Sequence, residues 1–276
     1  MGNGPPPFSQ IGSKAKDLLT RDYHFDQKFK LMVLGDNGLR LATTGVKKDN
    51  LFTGDLSTLY KSGNTTVNVK IDTSSKVSTT VIVDELIPCT RTALSFEIPD
   101  HKSGKLDMQY LRARAAISSS IGLTPTPRLE LAATVGSKDL CLGAEIGFDT
   151  ASASFTKYNA GIGFDKKDFS ASLILADKGK TLKASYIHNI DPIKRSAVAA
   201  EMTHKFTTYE NRFTIGGSQA LDHFTTLKAR LNDSGKVAIL CQRVWRPKSV
   251  VTFSAEFDPK APDGASRFGL ALSLQP

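Results

Sequence analysis

Apolar and polar residues alternate along most of this chain, with a period of two that starts near Phe29 and runs to the C-terminal residues. Successive strand side chains point to opposite faces, so this alternation predicts strands with one apolar and one polar side. In Thr66–Asp72, Val67, Val69 and Ile71 share one face while Asn68, Lys70 and Asp72 share the other. Leu94, Phe96 and Ile98 alternate with Ser95 and Glu97, and Leu106, Met108 and Tyr110 with Asp107 and Gln109. Leu129 and Leu131 flank Glu130; Leu227, Ala229 and Leu231 alternate with Lys228, Arg230 and Asn232. Phe268, Leu270, Leu272 and Leu274 alternate with Arg267, Gly269, Ala271 and Ser273 at the end.

Turn residues separate these runs: Gly35-Asp36-Asn37-Gly38, Lys61-Ser62-Gly63-Asn64, Lys102-Ser103-Gly104, Asp177-Lys178-Gly179, Asn232-Asp233-Ser234-Gly235 and Pro262-Asp263-Gly264. Strand plus turn recurs every ~13 residues, giving about nineteen strands. No break in composition divides residues 25–276, which read as one β domain. Residues 1–24 differ. Phe8, Ile11, Ala15, Leu18 and Leu19 fall at helical spacing behind Pro5-Pro6-Pro7, with Lys14, Lys16, Asp17 and Arg21 on the other side. They predict one short amphipathic helix, packed either on any apolar surface or on a barrel wall.

A long antiparallel meander hides its edges by closing into a barrel, and many strands enclose a lumen too wide for side chains to fill. The polar face then meets water and the apolar face meets lipid. A stack of two sheets shows the same alternation, so the pattern alone leaves a soluble β-sandwich open. No run approaches the ~18 apolar residues of a transmembrane helix. No apolar signal core occupies the first thirty residues, and Asp17 and Asp22 interrupt what would otherwise be a basic presequence.

Charge narrows the partners. Lys and Arg exceed Asp and Glu by a net +9, which favours anions: phosphorylated metabolites, nucleic acid or an acidic membrane face. Aromatic residues lack the spacing of a base-stacking sheet, which argues against nucleic acid as the primary partner. Cys89, Cys141 and Cys241 are too scattered for a disulfide framework or a metal site, and read as small buried or lipid-facing groups. No nucleophile–His–carboxylate set or phosphate loop is present, so neither an enzyme nor a cofactor is expected. Gly216-Gly217 reads as relief of crowding within a strand. Conduction needs only charges lining water. By parity the inward candidates are Lys30, Lys70, Arg91, Lys228 and Arg230, joined by Lys14, Lys16, Asp17 and Arg21 on the helix. Phe8, Ile11, Leu18 and Leu19 would pack that helix on the wall.

Several segments together resemble the eukaryotic mitochondrial porins, the voltage-dependent anion-selective channels, in their plant form. Phe8–Tyr23 is similar to their N-terminal helix, and Ala220–Asp233 resembles their signature near the C-terminus. Pro99–Lys105 and Trp245–Ser249 have the plant-type character. Arg267, Gly269, Leu272 and Leu274 fit the polar–x–Gly–x–x–hydrophobic–x–hydrophobic barrel-insertion signal. Two positions depart. Gln219 stands where the signature has Tyr or His, and Val69 where some animal relatives carry a lipid-facing glutamate, whose functions therefore do not transfer. The resemblance implies an all-β transmembrane barrel of 19 mostly antiparallel strands, closed by one parallel pair, with the helix in its lumen. It implies voltage-dependent conduction of ATP, ADP, phosphate and organic acids across the mitochondrial outer membrane, and permits homo-oligomers and docking of soluble proteins such as kinases. Lys102, Lys105, Lys166 and Lys167 are the loop cations open to such docking. The competing readings are a mitochondrial protein-translocase channel subunit, a membrane docking scaffold and the soluble sandwich.

Overall fold

The computed structural model describes every residue except 1–3, 36, 49–50, 101, 192–194, 261–265 and 276. The turn expected at Pro262-Asp263-Gly264 and the turn residue Asp36 lie outside the described residues. A single 3₁₀ turn, Phe8–Gln10, and α1 (Ser13–Thr20) precede nineteen strands. These are β1 (Gln27–Leu34), β2 (Leu39–Lys48), β3 (Leu51–Ser62), β4 (Thr65–Asp72), β5 (Val77–Asp84), β6 (Thr90–Ile98) and β7 (Lys105–Leu111). There follow β8 (Ala115–Gly122), β9 (Arg128–Gly136), β10 (Leu140–Asp149), β11 (Ser154–Asp165), β12 (Phe169–Ala176) and β13 (Thr181–Asp191). The last are β14 (Ser196–Lys205), β15 (Glu210–Ala220), β16 (Thr225–Asn232), β17 (Val237–Arg246), β18 (Ser249–Phe257) and β19 (Arg267–Leu274).

Each strand pairs antiparallel with the next, and β1 pairs with β19 in parallel. An antiparallel meander returns to its start antiparallel only with an even number of strands, so nineteen make the closing pair parallel. Closure gives every strand two partners and leaves no edge. The hairpins β1–β2, β3–β4 and every second one thereafter share one rim with the end of β19, which we call the upper rim. The remaining hairpins and the start of β1 form the lower rim.

Register carries face identity around the wall: Lys30 lies opposite Thr44, Thr44 opposite Asp55, and Asp55 opposite Asp72. The other parity is apolar and exposed, as at Phe29, Leu41, Leu56, Ile71, Leu131 and Ile146. Exposed large apolar residues in every strand but β5, whose residues are all half-buried, require lipid outside this closed sheet. No described helix is long and apolar enough to cross a membrane. Val69 falls on this lipid-facing side beside Ile71.

Buried apolar side chains gather where the N-terminal segment meets the inner wall. Ala15, Leu18 and Leu19 pack with Ile187 and Ala199, and Phe8 and Ile11 pack with Cys141. The expectation of one continuous helix is corrected here. Gly12 adopts φ 75° and ψ 0°, which separates the 3₁₀ turn from α1. A Cβ at Gly12 would strike Ser172 Oγ and lie 2.9 Å from Ser185 Oγ, so the backbone bends against the wall at this point. Two smaller expectations also change. Cys89 is exposed in the β5–β6 turn, neither buried nor lipid-facing within a strand. Lys105 opens β7 and pairs inward with Asp107 at 3.0 Å, so it is not a loop cation.

Candidate functional site

The N-terminal segment climbs the inner wall from the upper rim to the lower one. Gly4 abuts the carbonyl of Arg112 in the β7–β8 turn. A Cβ at Gly143 would lie 2.7 Å from the Phe8 ring, and one at Gly163 would lie 3.3 Å from Ile11. A Cβ at Gly216 would meet Leu19 Cδ2 at 2.7 Å. Gly216 therefore seats the helix as well as relieving crowding in its strand. Farther on, a Cβ at Gly269 would fall 2.6 Å from the His24 carbonyl carbon and 2.7 Å from Phe25 Cα. These glycines all point inward by register, so the wall is recessed under the segment's path. Burying Phe8, Ile11, Leu18 and Leu19 stabilises docking by about 1.5–3 kcal/mol each relative to a hydrated position.

Polar contacts fix the segment along its length. Lys14 Nζ donates to Asp165 Oδ1 at 2.6 Å, and Lys228 Nζ donates to Asp22 Oδ2 at 3.3 Å. Arg230 does most. Its Nη1 donates to the Leu19 carbonyl at 2.9 Å, and Nη2 lies 3.6 Å from Glu256 Oε2. Its guanidinium also stands 4.5 Å from the centre of the Tyr23 ring. A cation at the carbonyl end of a helix satisfies an orphan acceptor and the negative end of the dipole together. Arg230 and Glu256 side chains are each only 16% exposed.

Burial pushes the Tyr23 phenol up to about 12, against the opposing pull of Arg230. His24 is held below its usual 6.5, chiefly by burial and then by Lys28, with Asp22 and Asp26 opposing. The docked segment thus favours neutral His24, and this contribution is complete above about pH 6.5 and lost as pH falls toward the depressed folded value. Acidification from neutral pH should therefore lower the protection factors, measured against the intrinsic exchange rate at each pH, across residues 21–26. A His24→Asn variant showing the same pH dependence would refute the assignment to this imidazole.

The register points all the wall candidates inward: Lys30, Lys70, Arg91, Lys228 and Arg230. Lys70 lies 3.7 Å from Asp55 and Arg91 3.4 Å from Asp84, both half-exposed pairs. Lys16 and Asp17 border a luminal recess of about 830 Å³ that Arg91, Glu130 and Lys183 also line. Arg21 approaches Asp17 at 4.0 Å. Sequence reasoning missed Lys28, Lys157, Lys183 and Arg212, which parity also turns inward. It also missed Asp165, Asp22 and Glu256, the carboxylates that occupy Lys14, Lys228 and Arg230. Among the described residues, Lys16, Lys28, Lys30 and Lys183 enter no ion pair. Arg267 and Gly269 face inward on β19, while Leu272 and Leu274 face lipid. No group of His, Cys, Asp and Glu among the described residues is arranged to hold a metal.

A closed sheet with an apolar outer face and a charged, hydrated interior defines a membrane-spanning pore protein. Residues 4–269 match the family described as eukaryotic porin. The chain is 58% identical to mitochondrial outer membrane protein porin 6 of Oryza sativa subsp. japonica and 53% identical to porin 4 of Arabidopsis thaliana, each over 100% of both chains. It is 46% identical to the porin of 36 kDa of Solanum tuberosum, again over the full length of both. This chain belongs to the eukaryotic porin family, and its place is the mitochondrial outer membrane. It is a channel and not an enzyme. Among solved structures, a mutant porin of Rh. blastica aligns over 77% of this chain and 88% of its own, at 9% identity and a TM-score of 0.49.

Proposed function

We propose that this pore is a weakly anion-selective, voltage-dependent channel for small metabolites, including ATP, ADP, phosphate and organic acids. The observation carrying this reading is the pairing of luminal charge. Lys14, Lys70, Arg91, Lys228 and Arg230 each lie within 4.0 Å of a carboxylate, and the unpaired inward cations Lys16, Lys28, Lys30, Lys183 and Arg212 outnumber the unpaired inward carboxylates Asp72, Glu97 and Glu201. The Debye length is ~8 Å at physiological salt, so a lumen admitting nucleotides is screened at its centre. Anions are favoured and cations still pass. Residues 25–276 act as one barrel domain and residues 1–24 as its luminal segment. Homo-oligomers or kinase docking would use surfaces outside this lumen.

Voltage acts on the charges that the segment carries. Moving one charge through about 100 mV yields ~2.3 kcal/mol, similar to undocking one apolar anchor. Reconstitution into planar bilayers under a salt gradient tests selectivity and gating together. Exchanging Lys16 and Arg21 for Gln should lower the chloride-to-potassium permeability ratio by about twofold, the scale of losing two among many distributed charges. An unchanged reversal potential would remove the segment from the selectivity mechanism.

A further inference from the structure

The aromatic girdles of the two rims end differently. At the upper rim, Arg112 lies 5.7 Å from the centre of the Tyr110 ring, Lys166 5.3 Å from Phe164 and Arg246 5.7 Å from Trp245. The three pairs stand at the upper ends of β7, β11 and β17, well separated around the barrel. Tyr110 and Phe164 have the lipid-facing parity of their strands, following Met108 and Ile162, and Trp245 is the unpaired bulge residue near the end of β17. Trp245 is 67% exposed. The lower rim has its own girdle in Phe148, Phe155 and Tyr158, with His204 against Phe206. Among the described residues, every outward-facing ring that carries a Lys or Arg belongs to the upper rim.

A cation held over a lipid-facing ring is drawn away from the pore mouth and fixed at the level of the headgroups. Guanidinium and ammonium groups there bond phosphate oxygens directly, while the ring keeps their stems against the acyl boundary. Asp139 and Asp168 occupy neighbouring upper-rim turns, so the rim as a whole is only moderately basic. The preference must therefore come from contact at the pairs. We propose that the upper rim binds anionic glycerophospholipids through the phosphates of the leaflet it meets, at the Arg112–Tyr110, Lys166–Phe164 and Arg246–Trp245 pairs. The barrel would thus distinguish the two leaflets of its membrane by their anionic lipid.

Trp245 is the single tryptophan of the chain, which makes it a built-in reporter. The full chain is reconstituted in phosphatidylcholine bilayers containing brominated phosphatidic acid or, in parallel, the same fraction of brominated phosphatidylcholine. Brominated phosphatidic acid should associate at Trp245 about fivefold more strongly, the scale for one cation at an anionic surface. Arg246→Gln should bring the ratio close to one. Equal quenching by both lipids in the unaltered protein overturns the proposal, as does a preference that survives Arg246→Gln. Added inorganic phosphate should leave the ratio unchanged; its collapse would assign the pair to free phosphate and refute a lipid site. Spin-labelled phosphatidic acid supplies the second arm. Its restricted fraction should fall with Arg112→Gln plus Lys166→Gln, and hold with Lys102→Gln plus Lys178→Gln at the lower rim. An equal fall in both would mean net charge alone acts, and would also overturn the proposal.

Discussion

Replacing Arg230 with Gln should release the C-terminal turn of α1, raising hydrogen exchange of the Lys16–Thr20 amides by about a hundredfold. The size follows from three losses at one atom group. Glu256 is left uncompensated, the Leu19 carbonyl loses a charged donor, and the Tyr23 ring loses its cation. Breaking a buried pair by removing one partner costs about 3 kcal/mol, and each 1.4 kcal/mol is roughly tenfold in an equilibrium. Arg230→Lys keeps the charge but not the planar fork that reaches Leu19 and Glu256 together, so it should restore only part of the protection. Unaltered exchange in Arg230→Gln would show that the apolar anchors alone hold the helix. In bilayers the variant should close at lower voltage, since the segment then resists the field with less free energy.

Gly269→Ala is expected to detach the His24–Phe25 stretch from the wall while leaving the barrel assembled. The added methyl would overlap the His24 carbonyl and press on Phe25 Cα, and both are backbone, so no side-chain rotation relieves the contact. Overpacking of this kind costs about 1–3 kcal/mol. Chymotryptic cleavage after Tyr23 or Phe25, in protein held in nanodiscs, should accelerate about tenfold on that scale. Gly269 also stands in the insertion signal, so the yield of folded barrel is measured alongside. Normal yield with faster cleavage supports the seat; normal yield with unchanged cleavage refutes it; a fall in yield with protection retained assigns this glycine to insertion alone.

The wall was legible in the sequence because its two faces meet different solvents. Val67, Val69 and Ile71 could be assigned outward from seven residues, since lipid and water sort side chains with a period of two. Lys70 and Arg91 followed by parity. The break at Gly12 was not legible, because Phe8, Ile11 and Ala15 keep the same spacing whether the helix is continuous or interrupted. The role of Arg230 was hidden for another reason. Its partner Leu19 lies 211 residues away, and strand parity says which face a side chain takes but not what crosses that face. The inward glycines were equally silent. Gly143, Gly163, Gly216 and Gly269 look like weak strand residues until the segment that fills their place is seen.

An odd number of strands puts the start of β1 and the end of β19 on opposite rims. The luminal segment reverses that separation, since it carries the chain from the β1 start back up to Gly4 beside the β7–β8 turn. Docked, Gly4 and Gln275 thus lie toward one compartment. Undocked, only the carboxyl end remains there by necessity, because the amino end is then tethered at the far mouth. The segment's state is in this sense written in topology: a label on each terminus would register docking as a change in which compartment each can reach, even if the conductance stayed the same.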